Sequence, residues 1–356
     1  MTHDMEKPTV AIVVLNYNGW GDTIECLESI LRNTYPDYRV IVVDNGSTDN
    51  SLGHIKAWAE GRLSPWVRPG QPLMHLTFPP MEKPIGYDHV APGVTEGLTE
   101  CGNRLILTRT GANLGYGSGN NVGIRIAIKM GAEYICVLNN DTVVEGRFVD
   151  DVASAFQGLS KDVAIIGPKI LDYQDLSDWQ RPTVREQALK FLIPRAVAFK
   201  LKRKLKTDSW LYRMFWYTGE DSAPVYTLPG SCIVFRATVL EKIGGFDENT
   251  FLYMEEDILS ERLKGLGMAE YYVPSIRLYH KWGQSIGATG LVHLFRSTMY
   301  FYKRYRGVGL VGEAFLRLWF LLLFFAKLFA SISFRNYGTL KDFLNVFFET
   351  RYRHSS

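Results

Sequence analysis

Tyr134 Ile135 Cys136 Val137 Leu138 Asn139 Asn140 Asp141 Thr142 is an apolar run that ends abruptly in two amides and a carboxylate. An unbroken apolar run of this length suits a strand covered on both faces of a parallel sheet. Polar groups at its carboxyl end then sit where open α/β sheets bind their ligands. Asn, Asp and Thr are also ordinary turn formers, so the stretch alone fits a plain strand and turn equally well.

The flanking segments repeat the pattern. The β-rich run that includes Ile12, Val13, Val14 and Leu15 stops at Asn16 Tyr17 Asn18 Gly19. Ile24, Leu27, Ile30 and Leu31 then recur at helical spacing, with Asp22 or Thr23 as the expected cap. Val40 Ile41 Val42 Val43 follows as a second buried strand and ends in Asp44 Asn45 Gly46 Ser47 Thr48 Asp49. Strand, helix and strand in so short a span make a βαβ unit, which implies parallel pairing. Leu105 Ile106 Leu107 resumes the strand pattern, and a glycine-rich loop from Asn113 through Gly115, Tyr116, Gly117 and Gly119 to Asn120 and Asn121 leads into an apolar helix. Val163 to Ile166 reads as a further strand, with Gly167 Pro168 turning the chain out of it. Between these elements, residues 61–102 carry Pro65, Pro69, Pro72, Pro79, Pro80, Pro84 and Pro92 and read as a surface insertion without regular structure.

Composition bounds the class. A chain of 356 residues with 46% hydrophobic and 22% charged residues buries a substantial core, which excludes wholesale disorder and a small stapled module. The net charge of +3 is small, and no nucleic-acid partner is expected. Cys26, Cys101, Cys136 and Cys232 are widely spaced and read as reduced, mostly buried thiols. The polar, acidic residues 1–8 read as neither a signal nor a transit peptide.

Two segments suggest a surface partner. In residues 181–213 lysines and arginines interleave with apolar residues, as in an amphipathic helix on an anionic membrane or in a solvated insertion. Leu318 to Ala326 is an uncharged apolar run between Arg317 and Lys327, shorter than the ~20 residues a span needs. It fits an interfacial or re-entrant helix, or a buried core helix. The organisation expected is therefore a catalytic domain over residues 1–300 and a membrane-associating region over 301–356, placing the chain in the cytoplasm against the inner face of the cell membrane.

Asn16 to Gly19, Asp44 to Asp49 and Asn139 to Asp141 end three strands of one parallel sheet, so they share one edge and one cleft. A nucleotide suits that cleft: Asp44 can accept hydrogen bonds from base or ribose, and the glycine-rich loop lets backbone approach a sugar or phosphate. Asp141 is placed to hold a divalent cation that bridges two phosphates. No Gly-x-x-x-x-Gly-Lys run supports a P-loop, and the glycines lack dinucleotide-fingerprint spacing after the first strand.

Ile12 Val13 Val14 Leu15 Asn16 Tyr17 Asn18, Val42 Val43 Asp44 Asn45 Gly46 Ser47 Thr48 Asp49, Asn113 Leu114 Gly115 Tyr116 Gly117 Ser118 Gly119 Asn120 Asn121 and Leu138 Asn139 Asn140 Asp141 Thr142, in this order, resemble glycosyltransferase family 2. The rhamnosyltransferase-like subgroup is the nearest, and the similarity covers roughly residues 8–300. The resemblance implies a GT-A type α/β fold, with a mostly parallel central sheet flanked by helices. It also implies a nucleotide-diphospho-sugar donor, dTDP- or UDP-linked, with a glycan or polyprenyl-linked acceptor. Donor contacts are then expected from Asn16, Tyr17, Asn18, Asp44, Asn45, Ser47, Asn113, Gly115, Tyr116, Asn120, Asn121 and Asn140.

The resemblance extends to Pro229 Gly230 Ser231 Cys232, Gly244 Gly245 Phe246 Asp247 and Phe251 Leu252 Tyr253 Met254 Glu255 Glu256 Asp257, which match an acceptor-side signature ending in an acidic pair. Its second acid is the family's catalytic base. Position gives that role to Glu256, with Asp257 next and Glu255 also in the trio; acids at a helix start are common in any case. His280, ending a run from Val273, matches a histidine that helps bind metal or diphosphate, so Asp141, His280 and Asn139 form the implied site for manganese or magnesium. The family's motif is often Asp-x-Asp, and Asn139 in its first position contributes no charge. The Gln-x-x-Arg-Trp signature of processive synthases is absent. The expected reaction is inverting, metal-dependent transfer of rhamnose or a hexose. A sugar nucleotidyltransferase and a catalytically silent membrane scaffold are the rival readings.

Overall fold

β1 (Val10–Asn16) buries nearly every side chain and lies at the centre of the molecule. The computed structural model describes residues 7–64, 73–94, 97–98, 101–171, 221–281 and 288–333. The basic segment 181–213 lies outside the described residues. Around β1 the parallel half of one sheet is built from β2 (Tyr38–Asp44), β3 (Tyr87–His89), β4 (Leu105–Arg109) and β5 (Tyr134–Asn139), in the order β3-β4-β2-β1-β5. α1 (Trp20–Ile30) makes the crossover from β1 to β2, as parallel pairing requires. The register pairs Asn16 with Asp44 and Leu15 with Asn139, so the three polar strand ends share one edge as expected.

Beyond β5 the pairing changes sense. β9 (Cys232–Arg236) runs antiparallel to both β5 and β7 (Val163–Leu171), and β10 (Ala269–His280) pairs parallel to β7. β10 also carries β6 (Thr142–Val144) and β8 (Ala223–Val225) antiparallel. β6 begins just after Asp141, and its register sets Thr142 opposite His280.

Successive residues of β1 point to opposite faces and feed two cores. Val10, Ile12 and Val14 join Leu27 of α1, Trp58 of α2 (Ser51–Ala59) and Phe148 and Val152 of α5 (Phe148–Ala155). Ala11 and Val13 join Ile124 and Ala127 of α4 (Tyr116–Lys129), Leu240 of α6 (Ala237–Ile243) and Leu263 of α7 (Glu255–Gly265).

Four expectations are corrected. α1 starts at Trp20 behind Gly19, so neither Asp22 nor Thr23 caps it; the Thr23 hydroxyl donates to the Gly19 carbonyl instead. β7 continues through Gly167 and Pro168, because β10 shifts register between Val273 and Arg277 opposite them, which lets a residue without an N–H stay in the strand. The proline-rich region contributes the edge strand β3 and the short helix α3 (Met74–Thr77). It is anchored at Glu28 of α1, whose buried carboxylate accepts from Trp58 Nε1 at 2.8 Å, the Met81 amide at 2.8 Å and Lys83 Nζ at 2.9 Å. Finally, the glycine-rich loop is largely helix from Tyr116 onward, and its later glycines serve packing. A Cβ on Gly119 would fall 2.8 Å from Leu15 Cδ1, so α4 lies flat on the sheet.

α8 (Ala288–Arg304) and α9 (Leu310–Ser333) pack on each other and on the loop before α7. One face of α9 buries Leu316, Trp319 and Phe320, whereas Leu310 and Val311 are 84% and 87% exposed and Leu318, Leu321, Leu322 and Phe325 are exposed beside them. Among the described residues no helix is long and apolar enough to cross a membrane.

Candidate active site

The β1 and β2 ends are tied to each other. Buried Asn16 donates from Nδ2 to Asp44 Oδ1 at 2.8 Å and to Ser47 Oγ at 3.1 Å. Asn18, in the left-handed region at φ +51°, donates its amide to Ser47 Oγ and accepts from the Thr48 amide at 2.8 Å, a conformation that asparagine tolerates better than most residues. Tyr17 is left exposed above this network. Asn45 Nδ2 donates to Asn113 Oδ1 and to the Gly115 carbonyl, both at 3.0 Å, which joins the start of α4 to β2. Gly115 has φ +85°, and a Cβ there would fall 2.3 Å from the Phe251 carbonyl oxygen. The approach the glycine permits here is thus by the chain's own backbone, with the Tyr116 amide donating to that carbonyl at 2.8 Å.

The β5 end is held from two sides. Asn140 Nδ2 donates to Thr23 Oγ1 at 3.0 Å, and Thr23 in turn donates to Asn16 Oδ1 at 2.9 Å. Tyr116 donates to the Gly230 carbonyl at 2.7 Å and stands 3.1 Å from Asn139 Oδ1. Burial, with Glu256 and Glu255 behind it, holds the Tyr116 phenol well above its usual range, so it remains a neutral donor. Asp141 and His280 meet, with Nε2 of His280 3.1 Å from Oδ1 of Asp141. The Lys281 amide donates to the Asp141 carbonyl at 2.9 Å.

Glu255, Glu256 and Asp257 form the first turn of α7 and face different ways. Glu255 is buried, and its Oε1 has no hydrogen-bond partner among the described residues. Burial first, then the Glu256 charge, raises its carboxyl to about 8. Glu256 is half-buried and lies against Gly230, where a Cβ would fall 1.8 Å from its Oε1. Burial raises Glu256 as well, opposed by its own amide and by that of Gly230. Glu270 of β10 adds another buried acid near Asp257 and Glu256, raised mainly by burial.

Most of the expected residues therefore converge on one edge. Asn120 and Asn121 do not: Asn120 donates to the Tyr116 carbonyl within α4, and Asn121 is spent on the Phe246 main chain, accepting its amide at 2.8 Å and donating to its carbonyl at 3.0 Å. Both sit in helix instead of loop, which turns their amides inward. Asn139 is engaged by Tyr116, whereas Asp141 and His280 face each other. Gly230 and Lys281 were not expected. The Lys281 ammonium bridges Asp22 and Glu25 of α1, and although burial pushes it down these carboxylates outweigh that effect and raise it. Gly230 lies within the acceptor-side signature and Lys281 directly after His280, but their partners are remote in sequence.

The comparisons with known proteins agree with this geometry. The model of glycosyl transferase family 2 matches residues 11–69, which hold β1, α1, β2 and α2. The N-acetylglucosaminyl-diphospho-decaprenol L-rhamnosyltransferase of Mycobacterium tuberculosis is 29% identical over 226 residues, 60% of this chain and 72% of the relative. A low-salt glycan biosynthesis hexosyltransferase of Haloferax volcanii is 28% identical over 41% of this chain and 42% of its own length. The chain is a glycosyltransferase that resembles family 2. The fold of this glycosyltransferase is GT-A: the mannosyltransferase of Pyrobaculum calidifontis, solved with GDP-Man and manganese, superposes with a TM-score of 0.51 at 16% identity over 98% of this chain and 89% of its own.

Proposed function

We propose that this glycosyltransferase moves rhamnose, or failing that a hexose, from a nucleoside-diphosphate donor to a hydroxyl of a polyprenyl-diphosphate-linked glycan, with inversion. The Mycobacterium tuberculosis relative, named for rhamnosyl transfer to such an acceptor, supports dTDP-rhamnose as the donor and N-acetylglucosaminyl-diphospho-polyprenol as the acceptor class. The observation that carries the mechanism is the span of Tyr116. Its hydroxyl touches Asn139 on the donor edge and the carbonyl of Gly230, whose Cα lies against Glu256, so nucleotide edge and carboxylate stand one side chain apart.

In this reading Glu256 takes the proton of the acceptor hydroxyl. The oxygen bonds to the anomeric carbon from the face opposite the diphosphate, the bond from that carbon to the diphosphate oxygen breaks, and the nucleoside diphosphate leaves with the electron pair. A carboxyl raised by burial is a stronger base than an exposed one, which suits this role. Asp44, Ser47, Asn16, Asn18, Tyr17, Asn45, Asn113, Gly115 and Asn140 would line the nucleotide side.

The donor set at Asp141 fits a divalent cation. One carboxylate and one imidazole lie within 3.1 Å, and among the described residues no three His, Cys, Asp or Glu are grouped so as to hold a metal ion, so substrate phosphates would complete the shell. Bound there, manganese or magnesium would offset charge on the leaving diphosphate. The exposed apolar face of α9, beside exposed Lys303, Arg304 and Arg317, suits an anionic lipid surface that presents the acceptor.

The test is a panel of nucleotide sugars with manganese and a short-chain prenyl diphospho-N-acetylglucosamine acceptor. Release of nucleoside diphosphate with acceptor-dependent product from dTDP-rhamnose is expected. Release of pyrophosphate, or no binding of any donor by calorimetry, would sink the proposal.

A further inference from the structure

Tyr253 and Met254, immediately before α7, adopt left-handed backbone with φ +73° and +71°. Residues with side chains pay roughly 1 kcal/mol or more each for this conformation, and it persists only where the surroundings over-determine it. The surroundings here are α8 and α9. Tyr253 packs in a cluster with Leu291, Leu294, Trp319 and Phe320. Met254 packs with Phe301, Tyr302 and Leu316. The backbone leading into the pair is held by α8: Ser297 Oγ donates to the Leu252 carbonyl at 2.8 Å, and the Phe251 ring stacks on His293 at 4.5 Å. Further back, Tyr300 and Tyr305 both donate to Asp247.

The torsions of Met254 fix where the first turn of α7 points, since its carbonyl accepts the Ile258 amide at 2.9 Å. Glu256 lies in that turn. We infer that α8 and α9 act as a clamp on Tyr253 and Met254 that positions Glu256 against Gly230, with Trp319 a positioning residue at the centre of the clamp. The inference rests on the reading of Glu256 as the base. The packing residues Tyr253, Met254 and Trp319 lie in clusters apart from the donor edge, which meets this segment at the Phe251 carbonyl, acceptor of the Tyr116 amide at 2.8 Å, so loss of the clamp should fall mainly on the proton-transfer step with a smaller effect on donor binding. A displacement of ~1 Å at a reacting group lowers the rate by up to about a hundredfold, so a loosened clamp is readily measured.

Two readouts test it in the full-length protein, with thermal melting to confirm folding. Deuterium exchange needs no turnover: Trp319→Ala should raise uptake across residues 251–258 and leave β1 and β2 unchanged, whereas unchanged uptake across 251–258 overturns the clamp. Kinetics from dTDP-rhamnose test the link to the base. Trp319→Ala should lower kcat roughly tenfold with donor KM within about twofold, and Trp319→Phe, which keeps a ring, should restore most of it. In a Glu256→Gln background the Trp319→Ala effect should vanish, because residues acting through one group are not additive. Multiplication of the two losses would show that Trp319 acts elsewhere and would overturn the proposal. Full turnover by Glu256→Gln alone would instead remove the base assignment, and the positioning role with it. Should Trp319→Ala not fold, Met254→Gly, which adopts the left-handed backbone freely and deletes the other half of the clamp, takes its place with the same expectations.

Discussion

Gly230 lies so close to Glu256 that a Cβ at position 230 would stand 1.8 Å from Oε1 of the carboxylate. Gly230→Ala must therefore move the carboxylate, since the backbone of the turn leading into β9 yields less readily than the end of a side chain. We expect kcat to fall by about tenfold to a hundredfold, with the melting temperature nearly unchanged. A Gly230→Ala enzyme with wild-type kcat would mean that the position of Glu256 is immaterial to turnover.

Glu256→Gln should lower kcat by about 10²- to 10⁴-fold, the range for loss of a general base. The pH profile carries a further signature. Only the deprotonated carboxylate accepts a proton, so activity is lost as pH falls through its raised value. The acid limb of kcat/KM should accordingly lie above the ordinary carboxylate range, and a limb inside that range would contradict the burial argument.

Glu255 should behave differently although it is the adjacent residue. Its carboxyl is raised to about 8 from 4.5, so between those values the unfolded chain has released a proton that the folded chain still holds. Stability then declines as pH rises through that window, by up to ~1.4 kcal/mol per unit, and levels off above it. Glu255→Gln keeps the shape and removes the titration. Urea denaturation at pH 6 and pH 8 should show a smaller pH dependence in the variant while transfer activity is largely kept.

At the donor edge, Asp141→Ala should abolish metal-dependent transfer and the binding of manganese with nucleoside diphosphate by calorimetry. Asn139→Ala removes a neighbour of the Tyr116 hydroxyl and no charge, so activity should fall by about tenfold or less. If the two outcomes were reversed, Asp141 and His280 would not be the metal ligands.

Glu28→Ala leaves Trp58 Nε1, the Met81 amide and Lys83 without their shared carboxylate acceptor. A loss of about 3 kcal/mol is expected for breaking so buried a network, read by chemical denaturation. Because Met81 and Lys83 belong to the proline-rich region, limited proteolysis should cut there first in the variant. Protection equal to the wild type would show that α3 and β3 are held by other contacts.

The parallel half of the sheet was legible because Val10 to Leu15, Val40 to Val43 and Tyr134 to Leu138 are unbroken apolar runs with polar ends, and parallel pairing then forces the ends together. The antiparallel insertion of β9 between β5 and β7 was not, since nothing local to Cys232 to Arg236 records which distant strands it joins. The same distinction runs through the site. Asp141 stood out by chemistry and His280 by the family resemblance, and the two lie together. Gly230 carries no functional group, and only its distance from Glu256 shows what it does. The glycines after Asn113 misled because glycine signals close approach without saying of what, and here the visitors are Phe251 and Leu15. Gly167 Pro168 misled because a turn signal is overridden where the partner strand shifts register.

The two sides of α9 also bear on how the enzyme is handled. Its outer surface is greasy enough to invite removal for the sake of better behaviour in solution, and residue 309 is an obvious place to cut. Such a shortened protein would keep the sheet and the nucleotide edge, and it would pass as well folded. It would also lack Leu316, Trp319 and Phe320, which rest on Met254 and Tyr253, so a preparation chosen for its solubility would report a slow enzyme with an intact donor site.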